Sequence, residues 1–494
     1  MNLNNVVSFV AVPVGVACAS VGSCLAWPSS VIEGLQDPAG PWKLNGDESS
    51  WVVSLLDLGI VLGSLPAGWL ADRLGRRCVM LLATVPLALC WLLLLTAASA
   101  GHHLWMLCLA RLVGGLGSSA VLVASVMYLS EIAADSLRGT LNTVAAACLN
   151  GGLVFSYAIG PYVTFRILAG ASLALAFVAV VCLSWVPESP WYFVRRGQRD
   201  EAIRALARLR GGGMVDSGTE LAQLESALAM EATVPKTAWK HLLAGDRRAL
   251  AVVLALVVLQ ALSGAAAMQS YSSITLPSSV GPYEVVIVYG ILTLIASLAA
   301  AFVVDLVGRK PLLFWASLIQ TIALTASAVY YTLLAHWKDM ASSSSWWRFV
   351  PTVGLLVFAV AYPMGLGTVP NVLQSEMFSA TAKGICLPIV LVTFNGLTFF
   401  VSKMFEVVSR KLGSDVAFWF FVVDAFVATM FASVALRETK GKTLEQIQRD
   451  LNPDIDNSPR RPLGANGRPF LESEPSRATL YSISIESSTG FYEK

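Results

Sequence analysis

Charged residues recur in a fixed order between long apolar stretches of this chain. The turn Gly68–Arg77 reads GWLADRLGRR, and Asp305–Lys310 reads DLVGRK, with the same order of acid, glycine and paired bases. The offset between the aspartates Asp72 and Asp305 is 305 − 72 = 233. Acids and bases that lie at the ends of membrane helices pair with one another. The chemistry that these residues suit is therefore the making and breaking of ion pairs at a membrane surface.

Two further sets of charged residues repeat at similar offsets. Glu131 with Arg138 recurs as Glu376 with Lys383, and Glu188 recurs as Glu438. The offsets are 376 − 131 = 245 and 438 − 188 = 250. A threefold echo in one order predicts two related halves of a membrane transporter, with a substrate site between them near the middle of the membrane.

We expect the repeated charges to pair across the two halves and to bias which way a central cavity opens. Separating such pairs costs free energy in one conformation only, so they favour the other conformation. The predicted cytosolic gate consists of Asp72, Arg73, Arg77, Glu131, Arg138, Glu188, Asp305, Arg309, Glu376, Lys383 and Glu438. For any single member, the alternative is a topology determinant at a wet interface.

The composition excludes a soluble globular chain. Hydrophobic residues make up 55% of the 494 residues and charged residues 13%, with a mean hydropathy of +0.65. The bases lie in a few loops, so no nucleic-acid partner is expected. The eight cysteines lack a CxxC spacing, and we expect neither metal nor disulfide. No nucleophile and base arrangement or phosphate loop stands out, so we predict neither an enzyme nor a cofactor.

Apolar runs of about 20 residues are long enough to cross a bilayer. The predicted spans are Val6–Pro28, Trp51–Ala71, Val79–Ala98, Leu104–Leu129, Leu141–Val163, Ile167–Val186, Leu250–Tyr271, Val285–Val304, Leu312–Ala335, Val350–Leu373, Ile385–Val407 and Val416–Leu436. A break over Pro187–Arg248 separates the first six from the last six. The sequence therefore predicts an all-α membrane protein with two pseudo-symmetric six-helix bundles.

The distribution of bases predicts the orientation. The break is rich in Arg and Lys, and the positive-inside rule places it in the cytosol with both termini and the charged turns. The predicted segments are an N-terminal bundle at 1–187, a cytosolic helical linker at 188–248, a C-terminal bundle at 249–437 and a cytosolic tail at 438–494, most of it disordered because it lacks apolar periodicity. Within the linker, Arg199–Leu209 and Leu221–Glu231 have the spacing of amphipathic helices.

The motifs together resemble the sugar porters of the major facilitator superfamily, close to the animal facilitative hexose carriers and the insect trehalose facilitators. The motifs that carry the resemblance are GWLADRLGRR at Gly68, RLVGGLG at Arg111, YLSEIAADSLRG at Tyr128, PESPWYF at Pro187, QALSG at Gln260, DLVGRK at Asp305, GLGTVP at Gly365, SEMF at Ser375 and ETKGKTLEQI at Glu438. They run through nearly the whole chain up to its tail. The resemblance implies the twelve-helix fold of that superfamily.

The resemblance also implies a sugar cavity with amide side chains and indole faces, and most of these are replaced. The glutamine of the fifth helix falls on Ala146, and the family's QQLSGIN reads QALSGAA from Gln260. The candidate substrate-binding residues are Gln260, Thr293, Asn371, Phe394 and Asn395. Each lost amide hydrogen bond weakens polyol binding by about 0.5–1.5 kcal/mol, so an ordinary hexose is a poor candidate and a disaccharide, a polyol or a non-sugar metabolite is favoured. The alternative for each asparagine is a bond between helices.

Proton-coupled members of the superfamily carry an aspartate on the first helix that faces an arginine on the fourth. Arg111 is present here, but Gly22–Ser30 contains no acid, so facilitated diffusion is favoured. Charges inside spans are expensive and are usually functional. We expect Asp57 at a water-exposed mouth and predict that Asp424 pairs with Lys403 of the neighbouring span.

Proline and glycine predict a bend in the tenth span. Pro363, Gly365, Gly367 and Pro370 free backbone carbonyls and let the helix flex as the cavity closes, although a fixed kink has the same signature. Thr368 replaces a proline of the family at this point.

These observations predict a transporter of a small, uncharged, polyhydroxylated solute. It would work by alternating access, as a monomer in the plasma membrane. One alternative is a proton-coupled or non-sugar organic-solute carrier that uses Asp57 or Asp424. Another is a non-transporting nutrient sensor whose cavity has decayed, although such a sensor has no evident need of gate charges.

Overall fold

The structure is a computed structural model in which the described residues are almost entirely helical. They are residues 10–99, 101, 103–132, 138–210, 218, 220–222, 224–226, 228, 239–276, 281–336, 346–378, 380–442, 446–447 and 450. No strand occurs among them. The predicted tail disorder and most of the second predicted linker helix lie outside the described residues.

The helices are numbered in chain order. They are α1 (Val12–Gln36), α2 (Gly46–Leu74), α3 (Arg76–Ala97), α4 (Leu104–Ile132), α5 (Arg138–Ile159), α6 (Phe165–Trp185), α7 (Pro190–Arg195), α8 (Arg199–Arg210), α9 (Trp239–Leu262), α10 (Ala265–Thr275), α11 (Pro282–Val307), α12 (Arg309–His336), α13 (Val350–Met364), α14 (Val369–Met377), α15 (Ala380–Lys411) and α16 (Ser414–Val434). Short 3-10 turns follow α5 at Gly160–Tyr162 and precede α13 at Trp347–Phe349.

Within the described residues, twelve helical segments are long and apolar enough to cross a membrane, as the sequence predicts. The first six are α1 to α6, and the last six are α9 with α10, then α11, α12, α13 with α14, α15 and α16. The first span ends at Gln36 and not at Pro28 as predicted, because α1 continues through that proline. Membrane helices tolerate proline where neighbouring groups satisfy the freed carbonyl.

Capping residues and glycines determine where the helices beside the charged turns begin and end. Asn45 and Glu48 form a capping box that starts α2. Gly75 ends α2 at φ +103° and Gly308 ends α11 at φ +104°, a backbone conformation that glycine adopts without steric cost. The two turns therefore share one backbone geometry, as their common sequence predicts.

The helices pack as two six-helix bundles with matching contacts. In the first bundle α2 packs on α4, α1 on α5, and α3 on α4 and α6. Six spans later, α11 packs on α13, the α9–α10 span on α15, and α12 on α13 and α16. The bundles meet where α2 packs on α15, α5 on α11 and α1 on α10. In the repeat, α2 corresponds to α11 and α5 corresponds to α15. The α2–α15 contact is therefore equivalent to the α11–α5 contact, as a pseudo-twofold axis requires.

Glycines allow the first bundle to pack at backbone distance. A Cβ at Gly22 of α1 would lie 1.9 Å from the Leu149 carbonyl oxygen of α5, and one at Gly152 would lie 1.9 Å from the Ala19 carbonyl oxygen. Small residues at helix crossings are typical of membrane bundles, where close packing drives association. This close packing therefore fixes α1 and α5 against each other, and both helices also contact the second bundle.

Candidate functional site

Arg76 is the centre of the charge cluster in the first bundle. Its side chain is 1% exposed, and Nη2 lies 2.8 Å from both Asp72 Oδ1 and Glu131 Oε1. Nη1 donates to the Ala71 carbonyl at 3.0 Å. Ser189 Oγ donates to the second oxygen of Glu131 at 2.5 Å. One buried guanidinium thus ties the ends of α2, α3 and α4 together.

Glu188 binds the start of α3. Its Oε1 accepts hydrogen bonds from the backbone N–H groups of Arg76 at 2.9 Å and Arg77 at 3.0 Å. A carboxylate at this position satisfies helix N–H groups that have no partner within the helix and complements the helix dipole. The segment after the sixth span is therefore fixed to the turn between the second and third spans.

Arg309 repeats this arrangement in the second bundle. Its Nη2 lies 2.8 Å from Asp305 Oδ1 and 2.5 Å from Glu376 Oε1, and its side chain is 9% exposed. Thr439 Oγ1 donates to the second oxygen of Glu376 at 2.7 Å, as Ser189 does to Glu131. We call the end of the molecule that carries Arg76 and Arg309 the arginine face, because the six spans between them return the chain to the same side.

Glu438 caps α12 as Glu188 caps α3. Its oxygens accept from the backbone N–H groups of Arg309 and Lys310, each at 3.0 Å. Partial burial alone would raise the pKa of the Glu438 carboxyl, but the N–H groups of Lys440, Arg309, Lys310 and Thr439 outweigh it and hold that pKa below its usual range. The cap is therefore a bound carboxylate at neutral pH.

The two clusters contain seven of the eleven predicted gate residues: Asp72, Glu131, Glu188, Asp305, Arg309, Glu376 and Glu438. Arg73 lies over the Trp69 ring at 4.2 Å, and Arg77 donates to the carbonyls of Leu183 and Ser184. The side chains of Arg138 and Lys383 lie outside the described residues. Arg76 was missed, although 309 − 76 = 233 repeats the offset of the aspartates.

Arg76 and Arg309 each form ion pairs within a single bundle, whereas the repeated charge pattern predicts pairing between the bundles. For each arginine, an acid four positions earlier in the chain and an acid on a neighbouring helix are already within reach. In this conformation the two clusters therefore stabilise each bundle separately.

Polar contacts join the two bundles at the face opposite the arginine face. Lys403 Nζ on α15 donates to Ser50 Oγ at 2.6 Å and to the Asp47 carbonyl at 3.3 Å, and it lies 4.2 Å from the Trp51 ring centre. The predicted pairing of Lys403 with Asp424 is wrong. Lys403 turns toward the polar start of α2, and a long lysine stem reaches such a site readily.

Asp57 and Glu406 complete this contact. Ser402 Oγ of α15 donates to Asp57 Oδ2 of α2 at 2.7 Å, so Asp57 lies between the bundles and not at an open mouth. Glu406 accepts from Gln36 Nε2 at 3.1 Å and from Arg410 Nε at 3.0 Å. We call these contacts of α15 with α1 and α2 the α15 seal.

Arg111 is buried among neutral acceptors. It donates to the Cys24 carbonyl at 2.6 Å and to the Val52 carbonyl at 3.1 Å, and its guanidinium carbon lies 5.3 Å from the Trp27 ring centre. Its side chain ties α4 to α1 and α2 through the backbone oxygens of Cys24 and Val52.

Gln260 and Thr293 belong to a group of polar and aromatic side chains in the middle of the second bundle. The Gln260 side chain lies beside the Tyr362 hydroxyl, and Thr293 Oγ1 donates to the Tyr289 carbonyl at 2.8 Å. The ring of Tyr362 stacks on Phe358 with centroids 5.6 Å apart. Tyr362 lies halfway along the span Trp347–Met377, so this group, which we call the tyrosine cluster, is at mid-span.

Residues of the first bundle reach the tyrosine cluster. The Tyr157 ring of α5 lies 6.4 Å from the Tyr289 ring, and the Tyr157 hydroxyl donates to the Gln269 carbonyl at 2.8 Å. Asn150 Nδ2 donates to Ser297 Oγ of α11 at 2.9 Å. Side chains that can hydrogen-bond to hydroxyl groups are thus present on both sides of the boundary between the bundles. The tyrosines were missed because their spacing is that of ordinary core residues.

The two asparagines among the other candidate substrate residues bond to backbone carbonyls four positions earlier in the chain. Asn371 Nδ2 donates to the Gly367 carbonyl and Asn395 Nδ2 to the Leu391 carbonyl, each at 2.9 Å. Phe394 is half-buried one position before Asn395. The described contacts do not join these three side chains to Gln260.

Two spans are broken beside the tyrosine cluster. The tenth span stops at Met364 and resumes at Val369, where the sequence predicts a bend, and Thr368 Oγ1 donates to the freed Pro363 carbonyl at 2.7 Å. The seventh span breaks at Gly264, with φ +84°, which was not predicted. A Cβ there would lie 2.8 Å from the Phe421 ring.

A cavity of about 590 Å³ between α11, α12 and α13 is a poor polyol site. Its lining is apolar and includes Trp315, Ile319 and Val353, which are exposed on the outside of the bundle. A polyhydroxylated solute needs convergent polar groups. This groove therefore suits lipid chains, and the tyrosine cluster is the better candidate site.

Twelve spans in two matching bundles, with repeated charge clusters and a polar group between the bundles, define a membrane transporter. The sugar (and other) transporter family matches residues 29–451. The human solute carrier family 2, facilitated glucose transporter member 6 is 29% identical over 452 residues, which cover 87% of this chain and 88% of that relative. The facilitated trehalose transporter Tret1 of Polypedilum vanderplanki is 27% identical, covering 89% and 87%.

A solved structure shares the fold. The inward-open conformation of the xylose transporter XylE from E. coli has a TM-score of 0.75 at 19% identity, covering 90% of this chain and 99% of that one. The chain belongs to the sugar (and other) transporter family and has the major facilitator fold. It is a multi-pass membrane carrier of sugar-like solutes and not an enzyme.

Proposed function

We propose that the protein carries a small polyhydroxylated solute through a membrane by facilitated diffusion. The observation that supports this proposal best is the position of Gln260 beside Tyr362 at mid-span. It places an amide and a phenol, both able to donate and accept, beside aromatic rings. The names of the relatives, which are facilitated glucose and trehalose transporters, agree with this class of solute.

Flux requires the two bundles to rock. In this conformation the α15 seal closes one end, and we infer that the seal must open for solute to enter from that side. Gly264 and the break at Met364–Val369 supply flexible points beside the tyrosine cluster. The charge clusters keep each bundle rigid while it moves.

The orientation follows from the basic residues. By the positive-inside rule, Arg76, Arg309 and the arginine-rich segment after α6 support a cytosolic arginine face, and we propose that both termini lie on the same side. The α15 seal then faces outward. We propose the plasma membrane as the location and the monomer as the working unit, with no nucleic-acid partner.

Uptake by the purified full chain in liposomes tests the proposal. The panel contains radiolabelled trehalose, glucose, fructose, polyols and amino acids, with and without a pH gradient. Facilitated diffusion predicts equilibration of at least one hydroxylated solute and no concentration against its gradient. Concentration driven by the pH gradient would replace it with a proton-linked carrier, and silence across the panel would favour a nutrient sensor.

A further inference from the structure

One face of α2 is apolar and turns away from the rest of the protein. Its members recur at helical spacing and are 46–60% exposed: Trp51, Leu62, Leu65 and Trp69. Leu56 and Ile60, on the opposite side of the helix, are buried in the first bundle. An exposed apolar face of a membrane-spanning helix lies against the hydrocarbon of the bilayer. We call this face the outer face of α2.

The two tryptophans of the outer face match the thickness of a bilayer. Trp51 and Trp69 are 69 − 51 = 18 residues apart, which is about 27 Å of helix. The hydrocarbon layer is about 30 Å thick, and tryptophan is enriched at both of its surfaces. Arg73 follows Trp69 by four residues, about 6 Å further along the helix. The Arg73 side chain therefore lies at the level of the lipid headgroups, on the arginine face.

Arg73 is an exposed cation that makes no ion pair among the described residues. Its guanidinium carbon lies 4.2 Å from the Trp69 ring centre, on the outer face. The adjacent acid is already bound, because Asp72 Oδ1 lies 2.8 Å from Arg76 Nη2 and 3.1 Å from Arg195 Nη1. The N–H donors of Arg73 are therefore available to a group outside the protein.

A second exposed guanidinium lies at the same end of α2. Arg196 Nη2 donates to the Arg73 carbonyl at 2.5 Å. The guanidinium carbon of Arg196 lies 4.9 Å from the Tyr192 ring centre, as that of Arg73 lies over a tryptophan. Two arginines, each on an aromatic ring, thus project positive charge beside the outer face.

The second bundle shows that the turn does not require the charge of Arg73. Arg73 corresponds to Leu306, since 306 − 73 = 233, and this leucine is 73% exposed. Trp69 corresponds in the same way to Phe302, which is 68% exposed. Lys440 Nζ donates to the Leu306 carbonyl at 2.6 Å, which matches the contact on the Arg73 carbonyl. The backbone contact is common to both turns, whereas the exposed arginine and its tryptophan belong to the first bundle alone.

We propose that Arg73 and Arg196 bind the headgroup of an anionic phospholipid, whose acyl chains lie along the outer face of α2. Guanidinium groups bind phosphate oxygens through two parallel hydrogen bonds, and the cytosolic leaflet is the one that carries anionic lipids. The lipid belongs to that leaflet in the proposed orientation. The inference concerns the surface of the protein and does not depend on which solute is carried.

Native mass spectrometry of the purified full chain tests the proposal with two lipids of the same acyl chains. Phosphatidylserine carries a net negative charge and phosphatidylcholine is neutral. The wild type should bind phosphatidylserine about fivefold more tightly. Arg73→Leu installs the residue that the second bundle already has, and it should remove most of this preference. Arg73→Lys keeps the charge without the planar fork and should retain part of it.

The matched control is an exposed base at the opposite face. Lys411→Leu, at the end of α15, removes the same charge and should leave the preference unchanged. Equal affinity of the wild type for the two lipids would overturn the site. An equal loss of preference in Arg73→Leu and Lys411→Leu would also overturn it, because it would show a general effect of net charge.

A soluble headgroup separates a lipid from a free phosphate. Glycerophosphoserine has the headgroup of phosphatidylserine but no acyl chains, so it cannot use the outer face of α2. It should displace phosphatidylserine only weakly. Competition by glycerophosphoserine as strong as that by the intact lipid would show a site for a soluble phosphate and would overturn the assignment to a membrane lipid.

Discussion

The guanidinium of Arg76 and the carboxylate of Glu131 lie 2.8 Å apart at the junction of α3 and α4, with Arg76 almost completely buried. The equivalent pair of Arg309 and Glu376 lies at 2.5 Å in the second bundle. Each bundle therefore carries a complete charge cluster of its own, and the polar contacts of the α15 seal hold the two bundles together at the opposite face. Stability within a bundle and movement between bundles thus depend on different residues.

Removal of the Arg76 guanidinium should destabilise the protein strongly. Arg76→Ala leaves the carboxylates of Asp72 and Glu131 without their common partner, and loss of one member of a buried ion pair costs about 3 kcal/mol. Thermal unfolding of the detergent-solubilised protein measures the change. Arg73→Ala, four positions from Trp69 on the exposed side of the same turn, is the control and should shift the midpoint little. Equal effects of the two substitutions would contradict the cluster.

The cap on α12 should make stability depend on pH. Because the pKa of Glu438 is lowered in the folded state, its contribution is present above the usual range of a glutamate and is lost as pH falls through the lowered value. Glu438→Gln should therefore melt below the wild type at pH 7, and the two curves should converge in acid. A difference in melting temperature that stays constant over this range would show that the charge of Glu438 does not stabilise the helix start.

The tyrosine cluster should set affinity for the solute. Tyr362→Phe removes the hydroxyl that the proposed site offers to the solute, and the loss of one hydrogen bond of about 0.5–1.5 kcal/mol should raise the KM of transport about 2- to 10-fold. Gln260→Ala should act in the same direction, and the double variant should fall short of additivity because the two side chains are neighbours in one site. Tyr330→Phe, another buried tyrosine of the second bundle, should leave KM unchanged. A similar KM rise in Tyr330→Phe would remove the special role of Tyr362.

The break in the seventh span should require a glycine at position 264. Gly264→Ala forces an alanine to φ +84° and brings its Cβ within 2.8 Å of the Phe421 ring, so both transport and thermal stability should fall. Gly396→Ala is the matched control, since nothing lies within 4 Å of a Cβ at that helical position. That variant should be neutral or slightly stabilising, because alanine is the better helix former. Full activity of Gly264→Ala would show that the break is not required.

Charge order and apolar length predict much of this structure. The spans, the break between the sixth and seventh and the acids at the ends of helices follow from the patterns around Asp72 and Asp305. The offset between these two aspartates also leads from Arg309 back to Arg76, so the central arginine of the first cluster was within reach of sequence reasoning. The tyrosines were not, because a tyrosine in an apolar span has no pattern that separates a binding role from packing.

The predicted pair of Lys403 and Asp424 shows what sequence patterns leave out. Both residues lie inside neighbouring spans, but the pairing depends on which side of each helix faces which neighbour. Lys403 faces α2 at the α15 seal, whereas Asp424 is buried midway along α16 and its Oδ2 has no hydrogen-bond partner. Helix rotation is set by packing over the whole bundle, which a span boundary does not encode.

Rocking of the two bundles about the tyrosine cluster is tested most directly by two distances in one protein. Spin labels at Leu74 and Leu306, both exposed at the arginine face, report on that face, and labels at Lys43 and Leu412 report on the face of the α15 seal. Double electron–electron resonance in liposomes, in a background without the native cysteines and with and without a transported solute, gives both distances. If the bundles rock, any condition that lengthens the Leu74–Leu306 distance should shorten the Lys43–Leu412 distance, and the reverse. Two distances that stay fixed, or that change in the same direction, would contradict it.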